Sequence, residues 1–129
     1  MCLDASIKRV ATTVLIVDDH LGFRARARAL LESEGYAVIG EAASGASAVS
    51  AAIALRPDLV LLDVMLPDST GFEVASRLSV LTLPPRVVLV STRDASDFGP
   101  LIGRSQVVGF IPKLELSGHR LRALLETAS

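Results

Sequence analysis

Short apolar runs alternate with longer stretches of mixed polarity along the whole chain. The runs are rich in Val, Ile and Leu, and they lie at Val14–Val17, Tyr36–Glu41, Leu59–Leu62, Val87–Val90 and Val107–Ile111. In most of them the apolar residues are continuous rather than alternating, which is typical of strands buried on both faces of a parallel sheet. The pattern therefore predicts five β-strands.

The stretches between the strands predict helices, because their apolar residues recur at intervals of three and four positions. These helices are expected at Leu21–Glu34, Ser44–Leu55, Gly71–Leu81 and Ser117–Thr127. A further helix at Asp97–Arg104 is only weakly indicated, since two glycines and a proline interrupt it. The apolar positions expected to face the sheet are Phe23, Ala27, Leu30, Leu31, Val49, Ala52, Ile53, Val74, Ala75, Leu78, Leu81, Leu121, Leu124 and Leu125. Arg24 and Arg28 lie on another stripe of the first helix and predict a solvated face.

Alternation of strands and helices is typical of α/β folds. It predicts a single, doubly wound, five-stranded parallel sheet with helices on both faces, which is the flavodoxin-like (βα)5 arrangement. A chain of 129 residues fits one domain. We place this domain at residues 13–129 and interpret residues 1–12 as a flexible leader.

Polar residues follow four of the predicted strands. They are Asp18 and Asp19 after the first strand, Asp63 after the third, Ser91 and Thr92 after the fourth, and Lys113 after the fifth. In open parallel sheets, ligands bind outside the carboxyl ends of the strands, which all lie at one edge. We therefore expect these side chains to share a site.

The residue types at this edge suit the transfer of a phosphoryl group. Three neighbouring carboxylates repel one another, and Mg²⁺, which prefers carboxylate oxygens, would remove that repulsion. The Lys113 ammonium and the Ser91 hydroxyl can bind phosphoryl oxygens, and an aspartate can itself attack phosphorus and form an acyl phosphate. Taken singly, each residue has a plainer interpretation. Asp18 and Asp19 could form a solvated loop or a helix cap, and Lys113 and Ser91 could be surface and strand-end residues.

Composition narrows the functional classes. The chain has 13 basic and 14 acidic residues and a net charge of −1, so no positive excess favours a nucleic-acid partner. A single cysteine excludes an internal disulfide framework, and no apolar run approaches the roughly 20 residues that span a bilayer. The N-terminus lacks the apolar core of a signal peptide. We expect a cytoplasmic protein with no membrane contact and no direct nucleic-acid contact.

Four segments in order carry a family resemblance: VLIVDDH, LVLLDVMLPDSTGFE, VVLVSTRD and GFIPK. Together they resemble the receiver domain of bacterial two-component response regulators, over essentially Thr13–Thr127. The DDH triplet and the lysine not followed by proline are most similar to receivers that often precede a helix-turn-helix output domain. The resemblance therefore implies phosphorelay signalling in the regulation of transcription.

The resemblance implies a role for each residue of the acidic edge. Asp63 would be the phosphoacceptor, and Lys113 would pair with the phosphoryl group. Asp19 would ligate Mg²⁺ directly, and Asp18 would assist either directly or through water. The backbone carbonyl of Met65 would complete the ligands that the protein supplies. His20 is interpreted as a surface residue at a helix start rather than as a metal ligand.

Further implied roles concern the response to phosphorylation. Ser91 would bind the phosphoryl group and act as a switch residue together with Phe110, which would pack inward once Ser91 moves; Phe110 could also be a plain core residue. Met65 and Arg93 would border the path of the attacking water and set the lifetime of the phosphorylated state. Neither can orient a water as a carboxylate or amide would, which predicts slow loss of the phosphoryl group.

The sequence departs from the family pattern in three places. Thr92 stands where a small alanine is usual, and Leu114 replaces the proline that often follows the lysine. The segment Gly99–Val108 lacks the usual alanine-rich fourth helix. These departures put the signalling surface formed by that helix in question.

Three functions are compatible with these residues. The first is a phosphoacceptor that is loaded by a histidine kinase or a phosphotransfer protein, and that controls an output domain or protein partner; it would assist only its own phosphoryl transfer and dephosphorylation. The second is a receiver-like interaction module that works without phosphorylation. The third is a small Mg²⁺-dependent phosphohydrolase, which is disfavoured because Met65 stands where such enzymes need a second acid. The oligomeric state is open, a homodimer included.

Overall fold

Five parallel strands form one sheet in the computed structural model, which describes residues 11–127. They are β1 (Thr13–Val17), β2 (Ala37–Ala42), β3 (Leu59–Asp63), β4 (Arg86–Ser91) and β5 (Gly109–Pro112). Their spatial order is β2-β1-β3-β4-β5, and every pair is parallel. The predicted fold class is confirmed, and each strand lies within two residues of its predicted position.

The helices cover both faces of this sheet. They are α1 (Leu21–Ser33), α2 (Gly45–Leu55), α3 (Gly71–Ser79), α4 (Leu101–Arg104) and α5 (Gly118–Thr127), with 3₁₀ turns at Ala95–Phe98 and Lys113–Glu115. Helices α2 and α3 each begin with a capping box. The hydroxyl of the residue before the helix accepts from the backbone N–H three residues on, and the side chain of that third residue accepts from the backbone N–H of the first. Local sequence thus fixes where these two helices start.

Alternate residues of each strand belong to two separate cores. In β1, Val14 and Ile16 pack with α1 and α5, while Leu15 and Val17 pack with α2 and α3. Residues 14–17 of β1 and all of β3 are buried completely or nearly so. This double burial explains why the strand sequences are continuously apolar rather than alternating.

Helix α2 corrects one prediction about the core. Ile53 was expected to face inward, but it is 57% exposed, and Ala48 and Ala52 are the residues that contact the sheet. Because the helix is mostly alanine and other small residues, the larger side chains did not mark its buried face. Val49 is half-buried beside that core.

The segment between β4 and β5 contains the weakly predicted helix. It folds as a 3₁₀ turn followed by the single-turn α4, and no residue of either element is buried. Gly99 separates them with a φ of 57°, a left-handed conformation that ends the first turn. Glycine and proline therefore interrupt the helix in this segment, as the sequence predicts.

Most of the predicted leader, residues 1–10, lies outside the residues that the structure describes. Thr12 at its end already takes part in the fold, because its carbonyl accepts from the Ala37 N–H of β2 at 2.9 Å. Within residues 11–127, no helix has the length and apolar character needed to cross a membrane.

Candidate functional site

The polar residues predicted to share an edge do meet, at the carboxyl ends of β1, β3, β4 and β5. Strands β1 and β3 are neighbours in the sheet, although β2 lies between them in sequence. The chain thus reverses its direction of travel across the sheet here, and such switch points leave a crevice for ligands. A cavity of about 240 Å³ opens at this point, and it is lined by Asp19, His20, Asp63, Met65, Leu66, Pro67, Ser91, Thr92 and Lys113.

Three carboxylates converge at the crevice with different exposures. Asp18 is fully buried, Asp63 is 3% exposed, and the Asp19 side chain is 37% exposed. Ligand atoms of these three residues and of His20 all lie within 4.8 Å of one another. The Asp18 N–H extends the sheet by donating to the Ala42 carbonyl at 3.0 Å, which fixes the backbone of this acid to the end of β2.

Lys113 is the cation that faces the two buried acids. Its Nζ lies 2.6 Å from Asp18 Oδ2 and 3.4 Å from Asp63 Oδ2, and its side chain is only 9% exposed. The ammonium also stands 4.6 Å from the centre of the Phe23 ring. One lysine therefore balances only part of the negative charge of the acidic edge.

The donor set fits a hard divalent cation. Asp18 Oδ2 is buried and accepts no well-directed hydrogen bond within residues 11–127, and its close contact there is the ion pair with Lys113. Asp19 and Asp63 present further carboxylate oxygens to the same space. Mg²⁺ prefers such oxygens and usually keeps several waters, which the open crevice allows.

The electrostatics of Asp63 reflect this crowding. Burial raises the pKa of its carboxyl, and the negative charge of Asp18 raises it further. Lys113 and the Met65 N–H, which donates to Asp63 Oδ1 at 3.3 Å, act in the opposite direction but do not cancel the rise in pKa. A cation bound between the acids would favour the ionised, nucleophilic form.

His20 belongs to the acidic cluster more closely than its interpretation as a surface residue implies. Its ring is 68% exposed, yet Nδ1 lies 3.1 Å from Asp18 Oδ1 and 3.3 Å from Asp19 Oδ1. Its backbone N–H also donates to Asp18 Oδ1 at 2.8 Å. The interpretation as a surface residue is right about the exposure of the ring but misses these contacts. The signal that could have revealed them is that His20 directly follows two acids in the sequence.

The remaining predicted residues lie around the crevice at different depths. Ser91 is buried, and its Oγ accepts from the Arg93 N–H at 3.1 Å. Met65 lines the cavity with a side chain that is 56% exposed. Arg93 reaches the site through this backbone contact, and its exposed side chain is not among the cavity-lining groups. Its predicted influence on the site stays a prediction.

Phe110 lies on β5 beside Leu89 of β4 and is half-buried. Its ring centre is 5.7 Å from that of Phe98, which is in turn 5.7 Å from that of Phe72 at the start of α3. Sequence reasoning found Phe110 but not its two aromatic neighbours, because they come from separate segments. The three rings link the site end of the sheet to the Ala95–Phe98 turn.

Asp68 in the loop after β3 and Gly71 at the start of α3 fix this connection, and the sequence analysis did not assign either residue to the site. The Asp68 carboxylate accepts from the Gly45 and Ala46 N–H groups at 2.7 and 3.0 Å, and these bonds lower its pKa. At Gly71, a Cβ would lie 2.6 Å from the Asp63 carbonyl oxygen. Only glycine lets α3 begin so close to the end of β3.

The comparisons with known proteins agree with this geometry. Residues 14–126 match the family model described as the response regulator receiver domain. A transcriptional regulator of Pseudomonas aeruginosa is 38% identical over 102 residues, which are 79% of this chain and 49% of that protein. The chain thus spans about half the length of that relative.

Solved structures show the same fold. The signal receiver domain of NarL from Mycobacterium tuberculosis has a TM-score of 0.81 at 33% identity, covering 93% of this chain and 98% of that one. A chain of the CheX–CheY–BeF3–Mg²⁺ complex from Borrelia burgdorferi has a TM-score of 0.78 at 25% identity, covering 89% of this chain and 87% of that one.

Proposed function

Because this chain belongs to the response regulator receiver domain family of two-component systems, we propose that it is a phosphoacceptor whose Asp63 takes a phosphoryl group from a histidine kinase or a phosphotransfer protein. The observation that carries the proposal is the position of Asp63. Its carboxylate is almost fully buried at the switch point of the sheet, next to a second buried acid, and one lysine ammonium contacts both acids. Burial and the charge of Asp18 raise the pKa of this carboxyl, and such perturbed groups are typical of functional sites.

The transfer follows from these neighbours. An oxygen of Asp63 attacks phosphorus, the bond from phosphorus to the donor nitrogen breaks, and its electron pair stays on the donor imidazole. Lys113 balances the charge on the phosphoryl oxygens, and Asp18, Asp19 and the Met65 carbonyl would hold Mg²⁺ beside Asp63. Bound Mg²⁺ supplies positive charge where negative charge accumulates during transfer.

The response would begin at Ser91. Its Oγ accepts from the Arg93 N–H, so the hydroxyl proton is free to be donated to a phosphoryl oxygen. A shift of Ser91 toward the acceptor would alter the packing of Phe110 at the adjoining strand and, through Phe98, the turn at Ala95–Phe98. The conformational switch is thus proposed to run from the crevice into the segment between β4 and β5.

The partners follow from the relatives. The Pseudomonas relative is a transcriptional regulator about twice as long as the matched region. We expect control of an output domain or a protein partner in transcription, with no direct nucleic-acid contact by this domain, whose net charge is −1. A homodimer is compatible with this proposal, and the cytoplasmic location stays a prediction.

The test is incubation with acetyl phosphate and Mg²⁺ followed by intact-protein mass spectrometry. We expect the mass of one added phosphoryl group, its loss in Asp63→Asn, and its retention in Asp58→Asn, a matched change just before the opposite end of β3. An unmodified wild type that still binds its partner would favour the phosphorylation-independent module. Continuous release of phosphate from unrelated phosphoesters would favour a phosphohydrolase.

A further inference from the structure

An ionic network outside the crevice connects β2 and α1 to the acidic loop. Glu41, at the end of β2, accepts from two arginines of α1, from Arg24 Nε at 2.9 Å and from Arg28 Nε at 2.7 Å. These bonds lower the pKa of Glu41, so it is ionised at neutral pH. Arg24 and Arg28, which were predicted to form a solvated face, therefore both pair with one carboxylate on a neighbouring strand.

Arg24 makes one contact that Arg28 does not make. Its Nη1 donates to the backbone carbonyl of Asp18 at 2.7 Å, and its side chain is only 16% exposed. The corresponding Nη1 of Arg28 bonds Glu32 and the Val38 carbonyl, away from the acidic loop. The two arginines thus share Glu41, and only Arg24 contacts the residues of the crevice.

The contact bears on Asp19 because of backbone geometry. The carbonyl of Asp18 and the N–H of Asp19 belong to one rigid peptide plane, so fixing the carbonyl fixes the direction in which the chain enters Asp19. Asp18 has other anchors, namely its own N–H and its buried carboxylate. The Asp19 carboxylate, in contrast, has one close partner within residues 11–127, His20 Nδ1.

We propose that Arg24 is a positioning residue for the cation site, held by Glu41 so that it fixes the Asp18–Asp19 peptide and thereby aims the Asp19 carboxylate. The inference rests on the proposed function, because it names how the same site is organised. Arg24 itself touches neither the cation nor the phosphoryl group. Its role is to orient the Asp19 carboxylate before the cation binds, since the exposed loop alone would leave this carboxylate free to move.

The sign of the effect distinguishes positioning from simple electrostatics. Removing a positive charge near an acidic crevice strengthens the attraction for Mg²⁺, whereas loss of a positioned ligand weakens binding. The matched pair is Arg24→Met and Arg28→Met, since both remove one charge and one ion pair with Glu41. Only Arg24→Met removes the bond to the Asp18 carbonyl.

The experiment is calorimetric titration of the whole chain with Mg²⁺, for wild type and both variants. We expect the dissociation constant to rise about five- to tenfold in Arg24→Met, as for loss of a charge-assisted hydrogen bond, and to stay within about twofold in Arg28→Met. Urea unfolding measured in parallel should show that both variants fold. Equal weakening in both variants, or tighter binding in Arg24→Met, would overturn the inference.

A second readout needs no metal. The His20 N–H donates to Asp18 Oδ1, so its hydrogen exchange reports whether the acidic loop is held. We expect faster exchange of this amide in Arg24→Met than in Arg28→Met, and equal rates would contradict the positioning role. A wild type that binds no Mg²⁺ would instead overturn the proposed cation site, even where the exchange rates differ as expected.

Discussion

Two regions that begin at the carboxyl edge of the sheet are built in opposite ways. The acidic loops after β1 and β3 are tied to helices by side-chain hydrogen bonds, since Arg24 of α1 donates to the Asp18 carbonyl and Asp68 accepts from the first turn of α2. The segment between β4 and β5 has no buried residue in its 3₁₀ turn or in α4. Its side-chain hydrogen bonds are local, such as Ser105 Oγ to the Leu101 carbonyl at 2.6 Å.

Under the proposed function, this difference corresponds to two separate roles, a rigid site and a segment that responds to it. A site that must hold three acids in mutual repulsion needs many fixed contacts, and residues 18–19 and 63–71 have them. A segment that reports a small change needs few contacts, because a small free energy must be enough to move it. The aromatic contact between Phe98 and Phe110 joins the two regions.

The largest expected contrast is in stability. Leu61→Ala, in the fully buried β3, should lower the free energy of unfolding by about 3 kcal/mol, because it opens a cavity between packed strands. Leu101→Ala, at a side chain that is 46% exposed in α4, should change it by less than about 0.5 kcal/mol. Urea denaturation measures both values, and comparable losses would show that the segment is packed as firmly as the core.

A second contrast lies inside the acidic loop. Asp19→Ala should weaken Mg²⁺ binding about tenfold or more, because it removes a carboxylate ligand from the proposed site. His20→Ala should have a much smaller effect, since an imidazole is a poor ligand for this hard cation. Calorimetric titration with Mg²⁺ compares the two variants, and equal losses would count against the proposed ligand set.

The strain among the buried acids should itself be measurable. The pKa of Asp63 is raised in the folded chain, so its ionised form destabilises the fold above that pKa, and stability is regained as the pH falls through it. Asp63→Asn should therefore unfold at a higher urea concentration than wild type at pH 7 without Mg²⁺. The difference should shrink toward pH 4; a constant difference would assign the effect to something other than ionisation.

The smallest expected effect concerns the lifetime of the phosphorylated state. A Met65→Asn, Arg93→Glu double variant should lose the phosphoryl group severalfold faster than wild type, because an amide and a carboxylate can orient the attacking water. Intact mass followed over time in Mg²⁺ buffer gives both rates. Equal decay would mean that these two exposed positions do not set the lifetime, and the role predicted for Arg93 would be dropped.

Much of the fold could be predicted because its determinants are local in sequence. Continuous apolar runs mark strands with two buried faces, and the residue that ends each run lies at a known edge of the sheet. This rule places Asp18, Asp63 and Lys113 at the edge of the sheet where the structure brings them together. The meeting of these groups follows from the rule that ligand sites lie at the carboxyl ends of parallel strands, whereas the order of the strands comes from the structure.

What the sequence did not reveal depends on contacts between distant segments. The inward face of α2 was misassigned at Ile53, because a helix of small residues gives no contrast in side-chain size. The link from Glu41 to Arg24 joins residues 17 positions apart, and nothing in either local pattern pairs them. The sequence does not reveal Phe98 for the same reason, since its ring contacts Phe72 and Phe110, which lie on other elements.

Gly71 has a consequence for how variation in this chain should be interpreted. Any side chain at this position must displace the carbonyl of Asp63 or the Cα of Val64, which a Cβ would approach to 2.6 and 2.9 Å. In a saturation mutagenesis screen scored by signalling output, Gly71 would tolerate as few replacements as Asp63. A residue with no functional group would thus give the same screening result as a residue that takes part in the chemistry. Measuring protein abundance together with signalling output would distinguish a residue needed for folding from one needed for phosphoryl transfer.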